Sequence, residues 1–240
     1  MSKTDLKDLI PEWQQVLAGS GPEDVLNWAL KQFGSDRLMQ SSSLGMEDMV
    51  ITDLLREISS DAGIFTLDTG RFFQESYDLM EEIRIKWKTP IRVYFPEAKA
   101  VEELVSTKGP NSFYTSLENR RECCRIRKID PLKRALDGLD AWICGLRRDQ
   151  SVTRQAVEFV EWDEAFSLVK INPLAQWSED QCRDYIKDHS VPIHILHKKG
   201  YPSIGCAPCT RAVREGEDIR SGRWWWENPE SRECGLHKKK

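Results

Sequence analysis

From Leu38 onward the chain alternates short apolar runs with amphipathic stretches, and this rhythm limits the folds open to it. Leu38 to Ser42, Gly63 to Leu67 and Ile91 to Phe95 are each too short for a stable helix and read as strands. Between them, Met46 to Ile58 sets Met49, Val50, Leu54 and Leu55 on one helical face, and Phe72 to Trp87 is a second helical stretch. Strands joined through helices lie parallel, so the pattern predicts an α/β fold with a doubly wound, mostly parallel sheet and helices on both faces. Ala141 to Leu146 and Ser167 to Ile171 add strands, and Ser178 to His189 adds a helix. Ahead of this region, Asp5 to Leu17 and Pro22 to Phe33 show helical spacing on either side of the Ser20-Gly21-Pro22 break. Beyond Pro192 periodicity fades into a segment dominated by Gly, Pro, Cys and Arg. The expected division is N-terminal helices over 1–36, a nucleotide-binding α/β domain over 37–190, and a loop-rich appendage with a tail over 191–240.

Chemistry is signalled first by cysteine. Cys123-Cys124 and Cys206-x-x-Cys209 form two pairs about eighty residues apart, and a lone Cys234 stands in Glu233-Cys234-Gly235-Leu236-His237. The two pairs supply four soft donors, the number that one cube-type iron-sulfur cluster or one tetrahedral zinc requires. Adjacent cysteines sit only about 3.8 Å apart at Cα, which suits several metal atoms better than one compact ion. The competing readings are disulfides and buried inert thiols, which the lack of any secretory context disfavours. Cys144 in an apolar strand and Cys182 in a helix read as small core residues.

Anion chemistry is signalled by loops and by local charge. Ser41-Ser42-Ser43-Leu44-Gly45-Met46-Glu47-Asp48 joins the first strand to a helix, where backbone N–H groups and the helix dipole favour phosphate; ordinary N-capping explains the same residues equally well. Leu67-Asp68-Thr69-Gly70 follows the second strand, and Gly145 to Arg154 follows a later one and carries Arg147, Arg148 and Arg154. Doubly wound sheets bind ligands at the carboxyl ends of their strands, so these three loops outline a nucleotide site. With 35 basic against 39 acidic residues and a net charge of −4, the chain does not suggest a nucleic-acid surface. Basic residues nevertheless crowd beside the motifs: Arg120, Arg121, Arg125, Arg127 and Lys128, then Arg211, Arg214, Arg220 and Arg223. That crowding points to a small anionic ligand, against the alternative of solvated helix faces. Met1 to Pro11 holds no apolar run of signal or membrane-spanning length, so no membrane association and a cytoplasmic location are expected.

The Ser-rich loop, Leu67 to Gly70, Arg121-Glu122-Cys123-Cys124, the Arg-rich loop, Gly205-Cys206-Ala207-Pro208-Cys209 and the Cys-Gly-Leu-His tail, in this order, resemble the assimilatory adenylyl-sulfate reductases, the iron-sulfur branch of the phosphoadenylyl-sulfate reductase family. The resemblance covers nearly everything after residue 38. It implies an adenine-nucleotide α-hydrolase-like, Rossmann-like fold, a [4Fe-4S] cluster on Cys123, Cys124, Cys206 and Cys209, and Cys234 as nucleophile. His237 is the nearest basic partner for that thiol. It further implies that adenosine 5′-phosphosulfate is bound by Ser42, Ser43, Leu67, Thr69, Lys128, Gly145, Arg148, Arg154, Arg220 and Arg223. A thioredoxin or similar dithiol as donor and a homo-oligomer complete what it implies. Lys128, four residues after Cys124, would link the thiolates to the substrate, and Arg220 with Arg223 would clamp sulfate or phosphate. The Trp224-Trp225-Trp226 run reads as packing for the appendage. Three alternatives compete: a reductase accepting the 3′-phosphorylated nucleotide as well, an ATP-pyrophosphatase-type iron-sulfur enzyme, and a non-enzymatic redox or nucleotide sensor. The second would carry a glycine-richer loop than Ser41 to Asp48 and would leave the Cys234 tail idle.

Overall fold

The computed structural model describes residues 3–150, 154–228 and 230. Among these residues six strands make one sheet: β1 (Leu38–Ser41), β2 (Gly63–Leu67), β3 (Ile91–Tyr94), β4 (Ala141–Ile143), β5 (Val160–Asp163) and β6 (Leu168–Ile171), in the order β3-β2-β1-β4-β6-β5. β1 pairs in parallel with both β2 and β4, β4 in parallel with β6, and β5 closes the edge antiparallel to β6. Strand order therefore reverses direction between β1 and β4, and such a switch point opens a crevice for ligand at the carboxyl ends of the strands.

The expected helices are found, one of them divided, and further helices lie between β3 and β4 where none was assigned. The stretch expected as one helix from Asp5 to Leu17 is two, α1 (Lys3–Asp8) and α2 (Ile10–Val16), with Pro11 in the first turn of the second where its missing N–H costs nothing. α3 (Pro22–Phe33), α4 (Met46–Ile58) and α5 (Gln74–Lys86) match the reading; α6 (Ala98–Lys108) has no counterpart in it. α7 (Leu117–Cys124) runs through a π-helical turn, Arg125–Ile129, into α8 (Asp130–Leu136), and α9 (Glu179–Asp188) begins on a capping box at Ser178.

Two compact units interleave along the chain. Of the described residues, the first comprises those up to Thr66, Leu79–Arg92 and Leu136–Ile193; the second comprises Leu67–Asp78, Val93–Ala135 and those from His194 onward. In the first, α1 and α2 pack on β6 and β5, and α4 packs between α3 and α9. Val25, Leu26, Met49, Val50, Ile51, Val169 and Ile171 form its dry interior. In the second, the π turn packs against α6, and Phe113 with Trp224 forms the centre of an aromatic core.

Candidate active site

In the first unit the loops after β1 and β4 meet. Gly45 ends the β1 loop as the N-cap of α4, and Leu44, not the glycine, takes the left-handed conformation at φ +62°. That is uncommon for a residue with a Cβ and is held here by burial of its side chain, 2% exposed. Asp48, one turn into α4, accepts from the Ser43 amide at 2.7 Å and its hydroxyl at 2.6 Å. Burial pushes the Asp48 carboxyl up to about 6, against the lowering effect of those Ser43 donors. Ser42 is buried, and its hydroxyl accepts from the Leu44 amide at 3.2 Å. From β4, Gly145 passes so close to α4 that a Cβ there would stand 2.4 Å from Asp48 Oδ1 and 3.2 Å from its amide nitrogen. Only a glycine lets the two loops approach this far.

The arginines of this loop are engaged within the protein. Arg147, 2% exposed, donates from Nε and Nη2 to Glu47 Oε1 at 3.0 and 2.9 Å. Arg148 pairs with Glu158 at 2.8 Å and donates to the Val157 carbonyl at 2.7 Å. Arg154 donates to Gln150, whose side chain in turn donates to the Gly145 carbonyl. Residues 151–153 lie outside the described residues.

The second unit gathers the four paired cysteines. Ser116 caps α7 by accepting from the Asn119 amide at 3.1 Å, and Cys123-Cys124 occupy the last turn of that helix, where it widens into the π turn. Such bulges are frequent at functional sites. Cys209 packs with Phe113 and Trp224, and Cys123, Cys124, Cys206 and Trp226 pack against this cluster. No disulfide joins cysteines among the described residues, all of which are free thiols. Burial, then the neighbouring Cys206, Cys124 and Cys123, push the Cys209 thiol well up. The Cys123 thiol is raised by burial, with Arg127 opposing. Among the described residues no three His, Cys, Asp or Glu groups close into a metal-binding set, and the four thiols share a packed cluster instead.

Their surroundings are cationic. Thr69 Oγ1 lies 3.2 Å from Cys206 Sγ, and Arg127, 8% exposed, donates to the Thr69 carbonyl at 2.7 Å. Arg120 forks onto Glu227 at 2.8 Å and also interacts with Cys124. Arg223 lies over Trp224 at 4.6 Å, donates to the Ile204 carbonyl at 3.2 Å, and crowds Gly205 so closely that a Cβ there would stand 2.3 Å from its Nη2. Leu67 is buried at the start of its loop, while Lys128 on the π turn and Arg220 are half-buried. Cys234 and His237 lie outside the described residues.

Four soft thiols packed together, mutually repelling once ionised and bordered by buried guanidiniums, fit a polynuclear metal cluster: its positive metal atoms would relieve the repulsion and the arginines would balance the thiolates. Sequence reasoning placed Arg120 and Arg127 in a basic crowd without assigning them to the centre, because their partners stand 107 and 58 residues away. It missed Asp48 as the brace of the β1 loop; the signal for it was an acidic residue in the first turn of α4.

The sheet order, the switch between β1 and β4 and the loops that meet there define an α/β fold of the adenine-nucleotide α-hydrolase type. The chain belongs to the phosphoadenosine phosphosulfate reductase domain family, which its residues 37–212 match. It is 52% identical over 204 residues to the adenosine 5′-phosphosulfate reductase of Allochromatium vinosum, covering 85% of this chain and 80% of that one. It is 47% identical over 236 residues to the enzyme of the same name from Neisseria meningitidis serogroup B, covering 94% and 96%. A crystal structure of phosphoadenylyl-sulfate reductase from Candida auris in a phosphate complex superposes with a TM-score of 0.74 at 27% identity, covering 86% of this chain and 97% of that one.

Proposed function

We infer that this chain is an oxidoreductase that reduces adenosine 5′-phosphosulfate to sulfite and AMP in sulfate assimilation. The observation that carries the reading is the convergence of Cys123, Cys124, Cys206 and Cys209 into one cluster, in a chain about half identical to adenosine 5′-phosphosulfate reductases. These four thiolates would hold a [4Fe-4S] cluster, whose bound thiolates Lys128 would link to the anionic substrate.

The reaction is proposed to run in two stages, with the reducing electrons supplied by an external dithiol. The Cys234 thiolate attacks the sulfate sulfur; a bond forms between its Sγ and that sulfur while the sulfur–oxygen bond to the phosphate breaks, and AMP leaves with the electron pair. Cys234 then carries an S-sulfonate. A thiolate of an external dithiol attacks Cys234 Sγ, and sulfite departs with the electrons of the old bond. The second thiol of the donor resolves the mixed disulfide, returning Cys234 and leaving the donor oxidised by two electrons. Thioredoxin is the proposed donor, and His237 the proposed partner that favours the Cys234 thiolate.

Ser42, Ser43, Leu67, Thr69 and Gly145 are proposed to bind the nucleotide. Lys128, Arg220 and Arg223 are proposed to hold its anionic end. Arg148 and Arg154 remain proposed binding residues that would have to turn from Glu158 and Gln150 toward ligand. Among the described residues no helix is long and apolar enough to cross a membrane. A cytoplasmic place and a homo-oligomer complete the proposal, the latter read by light scattering.

Incubating anaerobically purified protein with adenosine 5′-phosphosulfate alone and weighing the intact chain tests the first step. One SO3 group gained at Cys234, and none in Cys234→Ser, is the expected result; an unmodified Cys234 in brown, nucleotide-binding protein refutes it.

A further inference from the structure

The aromatic core of the second unit has an inner and an outer layer. Trp226 and Phe113 lie against the cysteine cluster. Tyr114 stacks edge-on against Trp226 at 4.4 Å, Trp225 meets Trp226 at 4.8 Å and nearly perpendicular, and Tyr114 and Trp225 stand 6.4 Å apart. These two outer rings are 42% and 36% exposed, although Trp224, adjacent to Trp225 in the chain, is 3% exposed. The backbone bends to arrange this: Trp224 adopts φ +43°, which is rare for a bulky side chain. The Tyr114 hydroxyl donates to the Pro208 carbonyl at 2.6 Å, which ties the outer layer to the loop between Cys206 and Cys209.

Exposed Trp and Tyr held rigidly side by side form the kind of anchor that dominates protein interfaces. Trp225 precedes Cys234 by nine residues, a span of at most about 30 Å when fully extended, so a protein that presents a thiol to Cys234 must come within that distance of the rings. We propose that Tyr114 and Trp225 form the docking surface for the protein dithiol that releases sulfite from Cys234, a partner with an apolar rim around its reactive thiol. This rests on the two-stage reading above. The donor's thiolate forms a disulfide with Cys234 Sγ as sulfite leaves, and its second thiol completes the exchange, so the surface adds no reactant beyond the dithiol itself.

The experiment compares wild type, Trp225→Ser and the conservative Trp225→Phe in two separate stages. Adduct formation on Cys234 from adenosine 5′-phosphosulfate alone should be the same in all three. Sulfite release by thioredoxin should lose about tenfold in kcat/KM in Trp225→Ser and recover in Trp225→Phe. Release by dithiothreitol, which needs no docking surface, should be unchanged. Equal loss with both donors, or loss with neither, overturns the surface while leaving the two-stage reading intact. A smaller assembly mass for Trp225→Ser would make the rings a contact between copies and also overturns it. Absence of the adduct in wild type overturns the reading and the surface together.

Discussion

The ion pair between Arg120 and Glu227 is the place where a single charge should matter most to stability. Its two hydrogen bonds are both 2.8 Å, its side chains are 1% and 8% exposed, and the guanidinium lies over Trp224 at 4.9 Å. Glu227→Gln leaves a buried guanidinium without its carboxylate, and Arg120→Met leaves a buried carboxylate without its guanidinium. Removing one partner of such a pair costs about 3–5 kcal/mol, because the remaining charge keeps its desolvation penalty. Replacing both, as in Arg120→Met with Glu227→Leu, removes that penalty and should come within about 1 kcal/mol of wild type. Urea unfolding followed by tryptophan emission reads the difference: with a slope of about 2–3 kcal/mol per molar, each single variant should shift the midpoint down by roughly 1–2 M. Arg37 with Asp140 is the internal control. It has the same forked geometry, both bonds 2.6 Å, but its arginine side chain is 52% exposed, and Arg37→Met should leave the midpoint where it was. Single variants at Arg120 and Glu227 that cost under about 1 kcal/mol, or a double variant whose loss is the sum of the singles, would refute the reasoning.

Gly145→Ala forces a Cβ to within 2.4 Å of Asp48 Oδ1 and should cost about 1–3 kcal/mol while weakening AMP binding by calorimetry; unchanged affinity would mean that the β1 and β4 loops do not act together. Asp48 has a folded-state pKa of about 6, above its unfolded value, so the folded chain holds this proton more tightly. The site therefore costs about 3 kcal/mol above pH 6, and that cost fades as pH falls from 6 toward 4; the stability of wild type relative to Asp48→Asn should rise over this window, and a flat difference would refute it. His194 behaves with the opposite sign. Burial, then His197, push its pKa down to about 4 while it lies 2.9 Å from Ser76 Oγ, so stability is full above about pH 6.5 and falls by about 3 kcal/mol toward pH 4. His194→Gln should remove that acid-side slope in pH-resolved unfolding.

What could be read in the sequence follows from how locally each feature is specified. β1, β2, α4 and the cysteine pairs were legible because their signals lie within a few adjacent residues: an apolar run, a 3.6-residue stripe, two soft donors side by side. β5 was not, since Val160-Glu161-Trp162-Asp163 has only two apolar residues and becomes a strand through pairing with β6, where Asp163 meets Lys170 at 2.7 Å. The arginines show the same limit more sharply. Arg120, Arg147 and Arg148 stand beside the motifs and read as anion ligands by composition, yet each is engaged by a carboxylate, and for the first two that partner is 107 and 100 residues away. A guanidinium beside a motif thus has two futures, set by whether folding delivers a carboxylate to it. For the two fully buried arginines folding did so, because an uncompensated charge at that depth would cost several kcal/mol, more than a marginally stable chain tolerates. Local crowding of positive charge therefore overstates the anion site, and only long-range pairing separates the residues that build the site from those left to face its ligand.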